Sequence, residues 1–103
     1  MRIVVKKAGH YPELKEVRGT LENLKEIVGG YIECIQISNN IICVCNEEGK
    51  LMGLTPNFIF NDDIIVGDVF FCAGAEEELT SLSTYDANWL MNVLTLMEMK
   101  REK

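Results

Sequence analysis

Val28-Gly29-Gly30-Tyr31-Ile32-Glu33, running on to Asn46-Glu47-Glu48-Gly49-Lys50, is the stretch on which the fold turns. Upstream, Thr20 suits an N-cap, because its hydroxyl can accept an orphan N–H of a first turn. Leu21, Leu24, Ile27 and Val28 then recur at helical spacing, with Glu22, Asn23, Lys25 and Glu26 between them. Gly29 can take the left-handed geometry that ends a helix. Beyond it, Tyr31–Ile37 and Ile41–Cys45 are rich in β-branched residues and read as two strands. Asn39-Asn40 between them predicts a two-residue hairpin turn. Such a turn sets Glu33 opposite Asn46, Cys34 opposite Cys45 and Gln36 opposite Cys43. Both faces of this hairpin are apolar, which predicts a central position covered on both sides.

Outward from this pair, Arg2–Ala8 and Leu14–Arg18 predict an N-terminal hairpin around the Gly9-His10-Tyr11-Pro12 turn. Lys50–Leu54 predicts a short strand after the Glu48-Gly49 turn. Asn61-Asp62-Asp63 is a polar loop. Ile64–Ala73 predicts a buried strand interrupted at Gly67-Asp68, and Leu79–Leu82 a short edge strand. Ser83 or Thr84 caps a final helix whose stripe is Trp89, Leu90, Val93, Leu94 and Met97. The expected class is α+β: one domain over 1–103, a mainly antiparallel sheet of five to seven strands, and two helices in the order ββαββ(β)ββα.

The 103 residues carry a formal net charge of −6 and are 48% apolar. That excludes disorder and argues against direct binding to a nucleic-acid backbone. No apolar run reaches the roughly 20 residues that cross a bilayer, and no signal peptide is evident, so no membrane role is expected and the cytoplasm is the expected compartment. Cys34, Cys43, Cys45 and Cys72 lie mid-strand rather than in the turns that zinc sites favour. They read as reduced core residues, with no metal or cofactor expected.

No catalytic residues are expected. His10 has no evident partner, and no pair of carboxylates among Glu47, Glu48, Asp62, Asp63, Asp68 and Glu76–Glu78 is singled out. Gly29-Gly30 follows a helix, whereas phosphate-binding glycines precede one. The pair ends the helix, and Gly30 would also permit close approach of a ligand or another backbone. Glu33, alone in an apolar strand, either pairs structurally near Lys50 or Asn46 or accepts from a ligand. Asn46–Lys50 is either a plain turn or, with Thr55-Pro56-Asn57, a polar binding rim.

The segments Val28–Glu33, Asn46-Glu47-Glu48-Gly49-Lys50-Leu51-x-Gly53-Leu54-x-Pro56-Asn57 and Asp63–Gly67 resemble a family of small proteins. It is catalogued as a domain of unknown function, family 3846, and occurs in bacteriophages, plasmids and Gram-positive bacteria. The likeness covers nearly the whole chain, including Leu79-Thr80-Ser81-Leu82. The four cysteines depart from it, standing where aliphatic residues are expected. The resemblance carries no catalytic residues and implies a mobile-element setting, with the host cytoplasm as compartment. The expected function is non-enzymatic binding: a counter-defence protein sequestering a nucleotide second messenger. The site residues are Gly30, Tyr31, Glu33, Asn46, Lys50 and Asn57, with Tyr31 to stack on a base and Lys50 to meet phosphate. Lys50 alone is little positive ground for an anion, so a homo-oligomer that completes the pocket is expected. The alternative partner is a host defence protein, docked by acidic patches that mimic DNA charge.

Overall fold

The computed structural model describes residues 1–101. Its elements run β1 (Arg2–Lys6), β2 (Glu13–Glu16), α1 (Leu21–Val28), β3 (Ile32–Ser38), β4 (Ile41–Asn46), β5 (Pro56–Phe60), β6 (Asp63–Val66), β7 (Val69–Ala75), β8 (Glu78–Thr80) and α2 (Thr84–Arg101). The main sheet has the order β2-β1-β7-β4-β3, and β8 pairs with the far half of β7. β5 and β6 form a separate hairpin. All the pairings among the described residues are antiparallel. The α+β class and the element order are those expected.

Period-two alternation in the central strands builds a core on each face of the sheet. Ile3 and Val5 of β1, Ile42 and Val44 of β4, and Phe70 and Cys72 of β7 pack with Leu24 and Val28 of α1. Val4, Cys43, Cys45, Val69 and Phe71 point the other way, towards Leu90 and Leu94 of α2 and Ile65 of β6. The boundary at Gly29 is as read: φ is +79° and its N–H donates to the Lys25 carbonyl at 2.8 Å. Thr20 caps α1, its hydroxyl accepting from the Asn23 N–H at 3.3 Å.

The β3–β4 register differs from the expected one. Ser38 faces Ile41, as a two-residue turn at Asn39-Asn40 requires, but a bulge at Ile37 then shifts the pairing by one residue. Glu33 therefore faces Cys45, and Asn46 faces Ile32. A one-residue slip moves every side chain of a strand to the other face. Ile35 and Ile37 consequently join Cys43 on the α2 side, while Ile32 and Cys34 join Val44 on the α1 side. Only β4 is central and wholly buried; β3 is an edge strand with alternating exposure.

Three further expectations are corrected. Lys50–Leu54 forms consecutive turns, with Met52 N–H bonded to the Glu48 carbonyl and Leu54 N–H to that of Gly49. Ile64–Ala73 is split between two sheets, because the chain turns at Gly67 where φ is +80°. Trp89 faces outward from α2, and Ala87, Leu90, Leu94 and Glu98 face inward. Asn61 and Asp62, both at positive φ, make the two-residue turn that joins β5 to β6.

Candidate functional site

Two clefts flank the β5–β6 hairpin. The smaller, of about 130 Å³, opens at the edge of the sheet and brings Glu33, Asn46 and Lys50 together with Cys45 and Asp63. Lys50 Nζ donates to Asp63 Oδ1, and both side chains are well exposed. The hydrogen bond from Lys50 holds the Asp63 carboxyl below its ordinary range. Asn46 is buried and its amide is occupied: Nδ2 donates to the Val28 carbonyl at 3.2 Å, and Oδ1 accepts from the Glu48 N–H at 2.8 Å. It thus ties the end of α1 to the 47–54 loop. Gly30 is close-packed against it, since a Cβ there would lie 2.9 Å from Asn46 Nδ2. Tyr31 is exposed, and Lys25 Nζ lies 4.6 Å from its ring centre, in cation–π contact.

Asn57, the sixth residue picked out in the sequence, lies apart from this group, in the larger cleft between β5–β6 and the C-terminal half of α2. This cleft measures about 430 Å³. Pro56, Phe58, Ile59 and Ile64 form one wall, and Leu94 and Met97 the other. Its floor is a buried polar cluster. Lys6, at the end of β1, points to the α2 face because it shares parity with Val4. Its Nζ donates to Glu98 Oε1 at 2.9 Å, Asn57 Oδ1 at 3.1 Å and the Lys7 carbonyl at 3.0 Å. Lys6 is 2% exposed and Glu98 4%. The Asn57 amide donates to the carbonyls of Lys6 and Gly67, both at 2.8 Å. Arg101 closes the cluster, donating to the Asn57 carbonyl at 2.7 Å, with Glu98 at 3.8 Å. The Lys6 hydrogen bond holds the Glu98 carboxyl below its ordinary value despite burial. Lys100 and Arg101 place two cations at the mouth.

Lys6, Glu98 and Arg101 did not stand out in the sequence. The signal was present: Lys6 continues the inward parity of Val4, and Glu98 continues the i, i+4 series Leu90-Leu94 on the buried face of α2.

The cysteines pack in the core. Burial pushes the Cys45 thiol up to about 11 and that of Cys72 up to about 12, and raises Cys43 well above its ordinary value. Such thiols are poor nucleophiles. Among the described residues, no three His, Cys, Asp or Glu side chains are grouped to hold a metal ion, and no helix is long and apolar enough to cross a membrane. His10 lies in the exposed β1–β2 turn, its Nδ1 2.9 Å from the Ala8 carbonyl.

No curated protein and no solved structure matches the chain. Residues 1–95, which include both sheet faces and most of α2, match a protein family, and the chain thereby belongs to the one described as Domain of unknown function (DUF3846).

Proposed function

We propose that the protein is a non-enzymatic binder of a small anionic ligand with a flat apolar body, of the nucleotide second-messenger class. The cleft between α2 and the β5–β6 hairpin is the site. The observation that carries this reading is an apolar cleft of about 430 Å³ above a buried, fully partnered charge cluster. Its volume falls in the usual range for small-molecule sites, roughly 300–1,000 Å³. The other cleft, at about 130 Å³, is too small for a nucleotide. Phe58, Ile59 and Met97 offer apolar surface to a base, and Lys100 and Arg101 offer positive ground to phosphate on an otherwise acidic protein. Asn57 is shared with the site read from the sequence, but its amide is used up within the protein. Its role is to hold Lys6 and the β5 backbone in place.

Sequestration, rather than turnover, suits a floor whose charged groups already satisfy one another: Lys6 makes three hydrogen bonds, and Glu98 lies against Lys6 and Arg101. In a mobile-element setting, depletion of a host nucleotide signal would serve as counter-defence. Incubation with cyclic and linear nucleotides, filtration and mass measurement of the filtrate tests the reading. One nucleotide depleted and recovered unchanged on denaturing the protein is expected. Full recovery of every nucleotide in the filtrate, or release of a cleaved product, would sink it.

A further inference from the structure

α2 has two apolar faces. Ala87, Leu90 and Leu94 are buried against the sheet. On the opposite side of the helix lie Tyr85, Trp89, Asn92, Leu96 and Met99, all exposed; Tyr85 is 79% and Leu96 57% open to solvent. Their spacing alternates four and three residues, the repeat of a coiled-coil seam. Helix α1 shows no such second face: its outer positions carry Glu22, Lys25 and Glu26, with Leu21 the exposed apolar exception.

We infer that α2 pairs antiparallel with α2 of a second copy, about a twofold axis through Asn92. The sequence of the seam is self-complementary in that arrangement. Tyr85 of one copy lies level with Met99 of the other, and Trp89 lies within one residue's rise of Leu96, so a large ring faces a flexible or branched chain on each side of the axis. Asn92 meets its own equivalent, and a single polar residue in a seam fixes register. The flanks agree. Asp86 and Lys100 occupy equivalent flanking positions at opposite ends of the helix, and antiparallel pairing brings each Asp86 to the other copy's Lys100. A parallel pair would instead set this flank against the other copy's opposite flank, which carries the uncharged Asn88 and Thr95, and would leave both charges without a partner. Antiparallel alignment also opposes the helix dipoles favourably. Most helical stability in proteins comes from tertiary packing of one face. Here α2 is already held by its inner face, so pairing carries little ordering cost. The pairing shares Lys100 with the mouth of the cleft, whereas Asp86 and Leu96 lie outside it, so variants at those two positions test the pairing apart from any ligand.

Sedimentation of the full chain, followed across concentration with Trp89 emission, tests the pairing. Trp89 is the sole tryptophan, so its emission reports on the seam. The wild type is expected to be a dimer with blue-shifted emission that moves red on dilution. Leu96→Glu, at an exposed position, is expected to give a monomer with unchanged far-ultraviolet circular dichroism. Asp86→Lys and Lys100→Asp are each expected to weaken the dimer about tenfold, and the double exchange to restore it. The restoration separates the antiparallel pair from apolar self-association in general. A wild type that stays monomeric at millimolar concentration overturns the inference. So does a dimer that survives Leu96→Glu, or a double exchange that remains as weak as either single variant.

Discussion

Two lysine–carboxylate pairs flank the β5–β6 hairpin, and they differ in every respect that sets their strength. Lys50 and Asp63 are close in sequence, on or beside one hairpin, and their side chains are 61% and 58% exposed. Lys6 and Glu98 come from opposite ends of the chain and are buried between β1 and α2. In water an ion pair gains little, because solvent screens it and two long side chains must be ordered. In the interior the same pair demands further partners: Asn57 and the Lys7 carbonyl accept from Lys6, and the Arg101 guanidinium lies 3.8 Å from the Glu98 carboxylate. The exposed pair decorates a cleft; the buried pair builds one, by drawing β1, β5 and α2 to a common point.

That contrast can be broken most severely at Lys6. Lys6→Ala leaves the Glu98 carboxylate buried without its main partner and is expected to destabilise the protein by about 3–5 kcal/mol. The paired replacement Lys6→Met with Glu98→Leu should recover most of the loss, because two apolar chains need no partner. Chemical denaturation of the three proteins checks both statements. A Lys6→Ala protein as stable as the wild type would remove the buried pair from the account.

Acid should act on the same cluster. The folded-state pKa of Glu98 is depressed below its ordinary 4.5. Its contribution is therefore full above the unfolded-state value and is lost as pH falls through the folded-state value. Stability should drop below about pH 4.5, and the drop should be shallower in Glu98→Gln. Parallel curves for the two proteins would assign the acid response to other carboxylates.

A smaller effect is expected at Asn46, the buried amide beside the other cleft. Asn46→Ala removes the hydrogen bonds to the Val28 carbonyl and the Glu48 N–H and should cost about 1–3 kcal/mol. Hydrogen exchange should show the loss concentrated in the 47–54 loop and the end of α1. The smallest effect belongs to Lys50→Ala, which should leave the denaturation midpoint where it was. A large shift there would erase the distinction between the two pairs.

Much of the fold was legible because local rules decide it. Thr20 and Gly29 bracket α1 by capping chemistry, and the uninterrupted apolar run of β4 marks it as the strand with a core on each side. The β3–β4 register was not legible. Asn39-Asn40 fixes the first pair correctly, but the bulge at Ile37 is settled by packing: it sends Ile35 and Ile37 into the α2-side core. The outward turn of Trp89 was hidden for a related reason. Both faces of α2 are apolar, so composition alone does not say which one meets the sheet. The candidate site was legible in part. Glu33, Asn46 and Lys50 do meet in one cleft, but the larger cleft joins residues up to 95 positions apart, Lys6 to Arg101, which no local pattern connects.

The most direct test is calorimetric titration of cyclic and linear nucleotides into the wild type, Ile59→Asp and Lys50→Ala. Ile59 lines only the large cleft and is exposed, so its replacement should spare the fold. The account predicts saturable binding of one nucleotide to the wild type and to Lys50→Ala, and its loss in Ile59→Asp. No heat with any nucleotide, or binding that survives Ile59→Asp and fails in Lys50→Ala, would contradict it.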